Sequence, residues 1–165
     1  GVNGASLGSY SKCTDLVNDL RLVKPDLVIF GIGINDATAA NFSVEDFVAR
    51  YKVLVSQVRS VNPDCALLFI SNNDSFRRVR RKGYVVNTNG QLAEQGFLRL
   101  GKDCDAGVWD LFDIMGGLGS MRKWEAAGLA KRDKIHFTET GYELVGDLLF
   151  NALMDKYMNH LKTSR

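Results

Sequence analysis

A short apolar run that ends at two closely spaced glycines most constrains how this chain can fold. Asp26-Leu27-Val28-Ile29-Phe30 lies between Pro25 and Gly31. Four consecutive apolar residues, two of them β-branched, between residues that break regular structure are typical of a strand buried on both faces. The sequence therefore predicts a central strand of an α/β sheet.

The residues that follow this strand are candidates for a functional site. The chain continues as Gly31-Ile32-Gly33-Ile34-Asn35-Asp36, and in open α/β sheets ligands bind at the carboxyl edge of the strands. An amide side chain at a strand tip can donate an N–H group to a developing oxyanion. Asn and Asp also commonly begin turns. Asn35 is therefore a candidate oxyanion donor, with a simple turn as the alternative.

The elements further along the chain predict a mainly parallel sheet. A capping box from Ser43 to Asp46 begins a helix that runs to about Val61, and residues 65–70 form a second buried strand. The order strand, helix, strand implies parallel neighbours. We also expect helices over 14–23, 89–100 and about 139–161, and a third strand over 107–111. The last helix is expected to bury Leu144, Leu148, Leu149, Leu153 and Tyr157.

Three segments are expected to lack regular structure. Residues 1–10 are small and polar, and residues 112–132 begin with several glycines. Residues 77–82, Arg-Arg-Val-Arg-Arg-Lys, form the one basic run. A solvated loop is the simpler interpretation of that run, and contact with a phosphate or an anionic polymer is the alternative.

Composition limits the classes of partner and of site. The 165 residues are 45% hydrophobic, which fits one domain, 1–165, and the net charge of +2 argues against nucleic acid or an anionic membrane as partner. Cys13, Cys65 and Cys104 are too widely spaced for a zinc site or a disulfide framework. We expect them to be buried free thiols. The sequence has no apolar run long enough for a membrane span.

One of the two histidines is a candidate general base. His136 precedes the last predicted helix, and Asp133 lies three residues earlier, whereas His160 is near the end of that helix. A tight turn can place the Asp133 carboxylate against one imidazole nitrogen and leave the other nitrogen for a substrate or nucleophile. A surface turn that caps the helix is the structural alternative.

A second candidate concerns a serine near the start of the sequence. Residues 4–8 spell G-x-S-x-G, which would make Ser6 a nucleophile if a full strand preceded a sharp turn there. Only three residues precede the motif in this sequence. A loop is therefore the main interpretation, and a nucleophilic Ser6 is the alternative.

These motifs together resemble a known family. Gly33-Ile34-Asn35-Asp36 and, about a hundred residues later, Asp133-Lys134-Ile135-His136 resemble the G-x-N-D and D-x-x-H blocks of the SGNH, or GDSL-like, hydrolases. Residues 3–8, with Asn3 five positions before Gly8, are similar to another block of that family. The resemblance covers nearly the whole chain, with the blocks in the right order.

The resemblance implies a fold and a chemistry. It implies a flavodoxin-like three-layer α/β/α fold with a mainly parallel sheet, and serine-dependent hydrolysis of a small-molecule or polysaccharide ester without metal or cofactor. His136 would be the base, Asp133 its partner, and Asn35 with the backbone N–H of Gly8 the oxyanion hole. The segment 112–132 resembles that of envelope-associated bacterial members that deacetylate polysaccharides or peptidoglycan.

One family block is missing. The family's nucleophile lies in a Gly-Asp-Ser block on the first strand, and this sequence contains no Gly-Asp-Ser. We therefore expect the chain to be the C-terminal part of a longer hydrolase whose upstream segment supplies the serine, and the 165 residues alone to be nearly inactive.

Two other classes of protein compete with this interpretation. A non-catalytic binding module could hold a glycan or an anionic ligand with Trp124, Arg77 and Arg78. A flavodoxin-like nucleotide binder is less well supported, because no glycine-rich phosphate loop opens a helix in this sequence.

Overall fold

The structure of the chain, a computed structural model, describes residues 4–163. The chain divides into two compact units between Ser120 and Met121. The helices are α1 Leu7–Tyr10, α2 Leu16–Val23, α3 Val44–Val61, α4 Asn89–Asp103, α5 Leu111–Ile114, α6 Met121–Ala126 and α7 Glu139–Thr163. The strands are β1 Leu27–Phe30, β2 Ala66–Ile70, β3 Phe76–Val79, β4 Gly83–Val86 and β5 Gly107–Trp109.

The main sheet has the predicted parallel pairing. Its strand order is β1-β2-β5, with Leu27 opposite Ala66 and Leu68 opposite Gly107. The helix α3 crosses from β1 to β2, and its predicted N-cap is confirmed, because the Ser43 hydroxyl accepts a hydrogen bond from the Asp46 N–H at 3.2 Å. The predicted α/β class with a parallel sheet is therefore confirmed.

The position of β1 differs from the prediction. Val28 and Phe30 pack into the core, but Leu27 is 48% and Ile29 is 46% exposed. Among the strands of residues 4–163, β1 pairs only with β2 and lies at the edge of the sheet. Alternate residues of a strand point to opposite faces, so one face of this strand is open. The prediction of a central strand buried on both faces is wrong for the described residues.

An aromatic core supports the loop that follows β1. Phe30, Tyr51 and Phe69 are packed with ring centroids 5.3 to 5.7 Å apart, and Phe97 is also fully buried. The Tyr51 hydroxyl donates a hydrogen bond to the carbonyl of Ile32 in that loop. These contacts hold the segment that leads to Asn35 against the aromatic core.

Three predicted loops contain regular structure. The segment 1–10 forms α1 from Leu7, and the glycine-rich segment 112–132 contains the end of α5 and all of α6. The basic run lies in an antiparallel hairpin of β3 and β4, in which Arg78 is opposite Tyr84. Short elements of this kind are fixed by contacts with the rest of the protein, which local composition does not reveal.

The last helix is present as predicted, but the side chains predicted to be buried along it are not buried. Gly141 is the buried residue that α7 contains, whereas Leu144, Leu153 and Tyr157 are 36%, 42% and 55% exposed. Leu148 and Leu149 are half-buried. The predicted buried stripe is therefore wrong as a description of residues 4–163.

The cysteine prediction holds in part. All three cysteines are free thiols; Cys65 and Cys104 are buried, but Cys13 is exposed.

Residues 4–163 contain no helix with the length and hydrophobicity that a membrane crossing requires.

Candidate active site

Asn35 lies just beyond the carboxyl end of β1, where its side chain is exposed. Its amide nitrogen donates one hydrogen bond, to the carbonyl of Ala5 at 2.8 Å. An amide nitrogen carries two hydrogens, so the second N–H can meet a ligand. The backbone two residues before Asn35 is closely packed, because a Cβ atom added to Gly33 would lie only 3.0 Å from the Phe97 ring.

The neighbouring carboxylate holds the start of α1. Both oxygens of Asp36 accept the backbone N–H of Leu7, at 3.1 and 3.2 Å. Burial raises the pKa of Asp36, and this hydrogen bond and the Arg50 charge only partly offset that effect. Asp36 therefore holds the N-terminus of α1 at Leu7 beside the loop that follows β1.

Gly8 occupies the first turn of α1, where backbone N–H groups lack acceptors within the helix. Asn35 donates to the carbonyl of Ala5 and Asp36 accepts from the N–H of Leu7, and these hydrogen bonds bring the Gly8 segment beside Asn35. The two residues predicted to form the oxyanion hole thus belong to adjacent segments of the first unit. Asn3, which the resemblance also uses, lies outside the described residues.

Arg50 is a residue of this region that sequence reasoning missed. Its guanidinium lies 3.6 Å from where a Cβ atom of Gly8 would be. It lines a groove of about 280 Å³ together with Ser6, Asn35 and Asp36. The sequence offered no signal for it, because an arginine in the middle of the long helix α3 is typical of a solvated helix face.

Ser6 stands directly before α1. Its backbone N–H donates to the Ser9 hydroxyl at 3.2 Å, and the two hydroxyl oxygens are 3.4 Å apart. These contacts are those of a helix cap.

Asp133 and His136 form a compact polar turn in the second unit. The Asp133 Oδ2 atom lies 2.9 Å from the His136 Nδ1 atom. The Oδ1 atom accepts the backbone N–H groups of Ile135, at 2.9 Å, and of His136, at 3.0 Å. The carboxylate therefore fixes both the turn and the orientation of the imidazole ring.

The electrostatics of this pair favour a charged carboxylate. Burial raises the pKa of Asp133, but the hydrogen bonds from His136 and Ile135 outweigh it, so the pKa lies below its usual value. With Nδ1 facing this carboxylate, the Nδ1 atom carries the proton and the Nε2 atom of neutral His136 can accept one. The His136 side chain is 54% exposed, so solvent or a substrate can reach it.

The turn is held in place by its surroundings within the second unit. The Lys131 N–H donates to the carbonyl of His136 at 2.8 Å. The next residue, Phe137, is buried against the rings of Trp124 and Tyr142, with centroids 5.2 and 5.4 Å away. Asp133 and His136 are thus presented by a packed turn.

The three side chains that a binding module would use differ in exposure. Trp124 packs on Phe137 and is half-buried. Arg77 and Arg78 are exposed on β3. No group of three or more His, Cys, Asp or Glu side chains within residues 4–163 is arranged to hold a metal ion.

A protein-family model matches most of this chain. The model of the GDSL-like lipase/acylhydrolase family matches residues 1–144. A structure described as a peptidoglycan O-acetylesterase in action is 29% identical and superposes with a TM-score of 0.84 over 94% of this chain. The match covers 45% of that protein, so this chain spans less than half of its length.

Two further structures show the same fold. An acetyl xylan esterase is 17% identical, with a TM-score of 0.70 over 92% of this chain and 78% of its own. A GDSL-like lipase of Bacteroides thetaiotaomicron is 14% identical, with a TM-score of 0.66 over 94% of this chain and 74% of its own. No curated protein sequence matches the chain.

Proposed function

The chain belongs to the GDSL-like lipase/acylhydrolase family, and from that premise we propose that the intact protein is a serine-dependent esterase that removes O-acetyl groups from a polysaccharide. The observation that carries the proposal is the Asp133–His136 pair, because its 2.9 Å contact orients an exposed imidazole as a base. Family membership supplies the reaction class, ester hydrolysis.

The proposed reaction proceeds through an acyl-enzyme. The Nε2 atom of His136 takes the proton of a serine hydroxyl, whose oxygen attacks the ester carbonyl carbon, and Asp133 stabilises the imidazolium. The free N–H of Asn35 and the N–H of Gly8 stabilise the oxyanion. His136 then returns the proton to the departing sugar oxygen. Water, activated by His136, attacks the acyl-enzyme and releases acetate and the serine.

The proposed nucleophile comes from a segment outside these 165 residues. The sequence contains no Gly-Asp-Ser block, and Ser6 has the contacts of a helix cap. The open edge of β1 and its exposed Leu27 and Ile29 favour this view, because an unpaired strand edge can accept another strand. An apolar groove of about 330 Å³ runs along β1 and α2.

The substrate class rests on a narrower comparison. The neighbour with 29% identity is a peptidoglycan O-acetylesterase, and it matches over nearly the whole of this chain. The acetyl xylan esterase shares the fold at lower identity. An O-acetylated polysaccharide is therefore the substrate class that we propose.

The proposal is tested by acetate release from an O-acetylated polysaccharide by the intact protein. The variant His136→Ala should lose at least about 10³-fold in turnover, because it removes the base of the proposed triad. The matched control is His160→Ala, which removes the other histidine from the exposed end of α7 and should leave turnover unchanged. Full turnover by His136→Ala would refute the proposed mechanism.

A further inference from the structure

The β3–β4 hairpin is the most strongly charged surface among the described residues. Residues 76–86 contain five cations and no acidic residue. The cations are all exposed: Arg77, Arg78, Arg80, Arg81 and Lys82. The whole chain has a net charge of only +2, so this concentration of charge is local.

These cations have no acidic partner within residues 4–163. Elsewhere in the same part of the chain, Lys52 pairs with Asp103 at 2.7 Å and Lys134 pairs with Glu125. The hairpin cations form no such ion pair in the described structure. Five exposed like charges repel one another, so an anionic ligand would stabilise this arrangement.

The base of the hairpin is fixed to the candidate active site. The Asn87 side chain, 2% exposed, donates to the carbonyl of Ala37 at 3.0 Å, and its backbone N–H donates to the carbonyl of Ser75 at 2.9 Å. Ala37 lies two residues after Asn35. The end of β4 is therefore hydrogen-bonded to the segment that carries the proposed oxyanion donor, which distinguishes this hairpin from an unattached surface loop.

The hairpin presents its charges at a distance from that segment. Strands of four residues reach about 13 Å, so the cations at the turn would meet a neighbouring part of an extended substrate. The turn forms a concave surface of about 460 Å³ lined by Arg78, Val79, Arg80, Arg81 and Gly83. Arg81 has a φ of +67°, where glycine is the unstrained residue, so a charged residue occupies a position at which conformation alone would favour glycine.

We propose that the β3–β4 hairpin is a binding arm for the carboxylate groups of an anionic polysaccharide that carries the ester. The inference rests on the proposed esterase function and narrows its substrate to a polyanionic glycan. The fork of donors on an arginine matches a carboxylate in two parallel hydrogen bonds.

The alternative polyanion, nucleic acid, fits less well. Nucleic-acid-binding domains are usually basic over a whole face, whereas this charge is confined to one hairpin of a nearly neutral chain. Tyr84, 40% exposed, is the register partner of Arg78, so the two side chains share one face of the hairpin. An exposed amphipathic ring and a cation on one face suit a sugar that carries a carboxylate.

The test measures binding of the intact protein to polygalacturonate, a polyanion that contains no ester and is not turned over. The neutralised variant is Arg77→Gln, Arg78→Gln, Arg80→Gln. The matched control is Lys24→Gln, Lys156→Gln, Lys162→Gln, which removes three exposed cations outside the hairpin. Isothermal titration calorimetry at low and high salt, with neutral dextran as reference, gives the dissociation constants.

The expected result is about tenfold weaker binding of polygalacturonate to the neutralised variant, since each exposed contact contributes a few-fold, and unchanged binding to the control. Salt should weaken binding to the wild type more than to the neutralised variant. Replacement of the same arginines by lysine should retain part of the affinity. Equal binding by wild type and neutralised variant, or tighter binding of duplex DNA than of polygalacturonate at the same ionic strength, would overturn the proposal.

A kinetic measurement separates this inference from the proposed function. For acetylated polygalacturonate the neutralised variant should have about tenfold higher KM and unchanged kcat, and its kcat/KM for 4-nitrophenyl acetate should equal that of the wild type. If the wild type hydrolyses neither ester, the esterase proposal fails while the binding result still tests the arm. A KM equal to that of the wild type would contradict the arm even in an active esterase.

Discussion

Gly141 is the position at which one added methyl group should do most harm to the second unit. A Cβ atom there would lie 1.9 Å from the carbonyl oxygen of Leu129 and 3.1 Å from the Cβ of Phe137. The nearest atoms are backbone, so the start of α7 would have to move by at least about 1 Å to restore ordinary contact distances. Such a shift displaces the helix from the residue that follows His136.

The magnitude follows from two opposing effects. Overpacking of a buried site costs about 1 to 3 kcal/mol, while replacing glycine by alanine within a helix gains about 0.5 to 1 kcal/mol. Because the clash involves backbone on both sides, we expect Gly141→Ala to lower the free energy of unfolding by about 2 kcal/mol. Urea denaturation of the intact protein, followed by circular dichroism, measures this change.

The matched control is a second glycine on the same helix. Gly146 has open space where a Cβ atom would lie, so Gly146→Ala should raise the free energy of unfolding by up to about 1 kcal/mol. The two variants should therefore shift the urea midpoint in opposite directions. A Gly141→Ala protein as stable as the wild type would refute the close packing of α7 on Leu129.

Three further predictions concern individual side chains. Asn35→Ala should lower kcat of the intact esterase by about a hundredfold or more, and retained turnover would remove Asn35 from the oxyanion hole. Burial and a neighbouring aspartate raise the pKa of Glu94 to about 6, so its ionised form opposes folding above pH 6 and this effect is absent below pH 4.5. Glu94→Gln should therefore raise the urea midpoint at pH 8 and leave it unchanged at pH 4, and an equal effect at both values would contradict this assignment. In the native protein iodoacetamide should modify the exposed Cys13 but not Cys65 or Cys104, which are buried and whose pKa values burial raises; mass spectrometry that finds three labels without denaturant would contradict the described packing.

Local sequence signals predicted the parts of the fold that local interactions determine. The capping box at Ser43 marked the start of α3, and the short apolar runs marked β1 and β2. The turn between Asp133 and His136 was also readable, because a carboxylate three residues before an imidazole can reach it through one tight turn. The GxND and DxxH spacing then indicated the family that the match over residues 1–144 confirms.

Features that depend on distant parts of the chain were not readable. The apolar run of β1 carries no sign of whether a second strand lies beside it, so the exposure of Leu27 and Ile29 was not predictable. Arg50 lies near Gly8 only because α1 packs on α3 through contacts formed by residues far apart in sequence. The anchoring of the basic hairpin through Asn87 to Ala37 spans fifty residues and has no local signature.

Labelling of the intact protein with a fluorophosphonate, followed by peptide mapping, tests whether it is a serine esterase whose nucleophile lies outside this chain. An active serine esterase should carry the label on one serine, located outside the 165 residues of this chain, and labelling should be lost in His136→Ala and kept in His160→Ala. A label on Ser6, or an intact protein in which no serine reacts, would contradict the proposed mechanism.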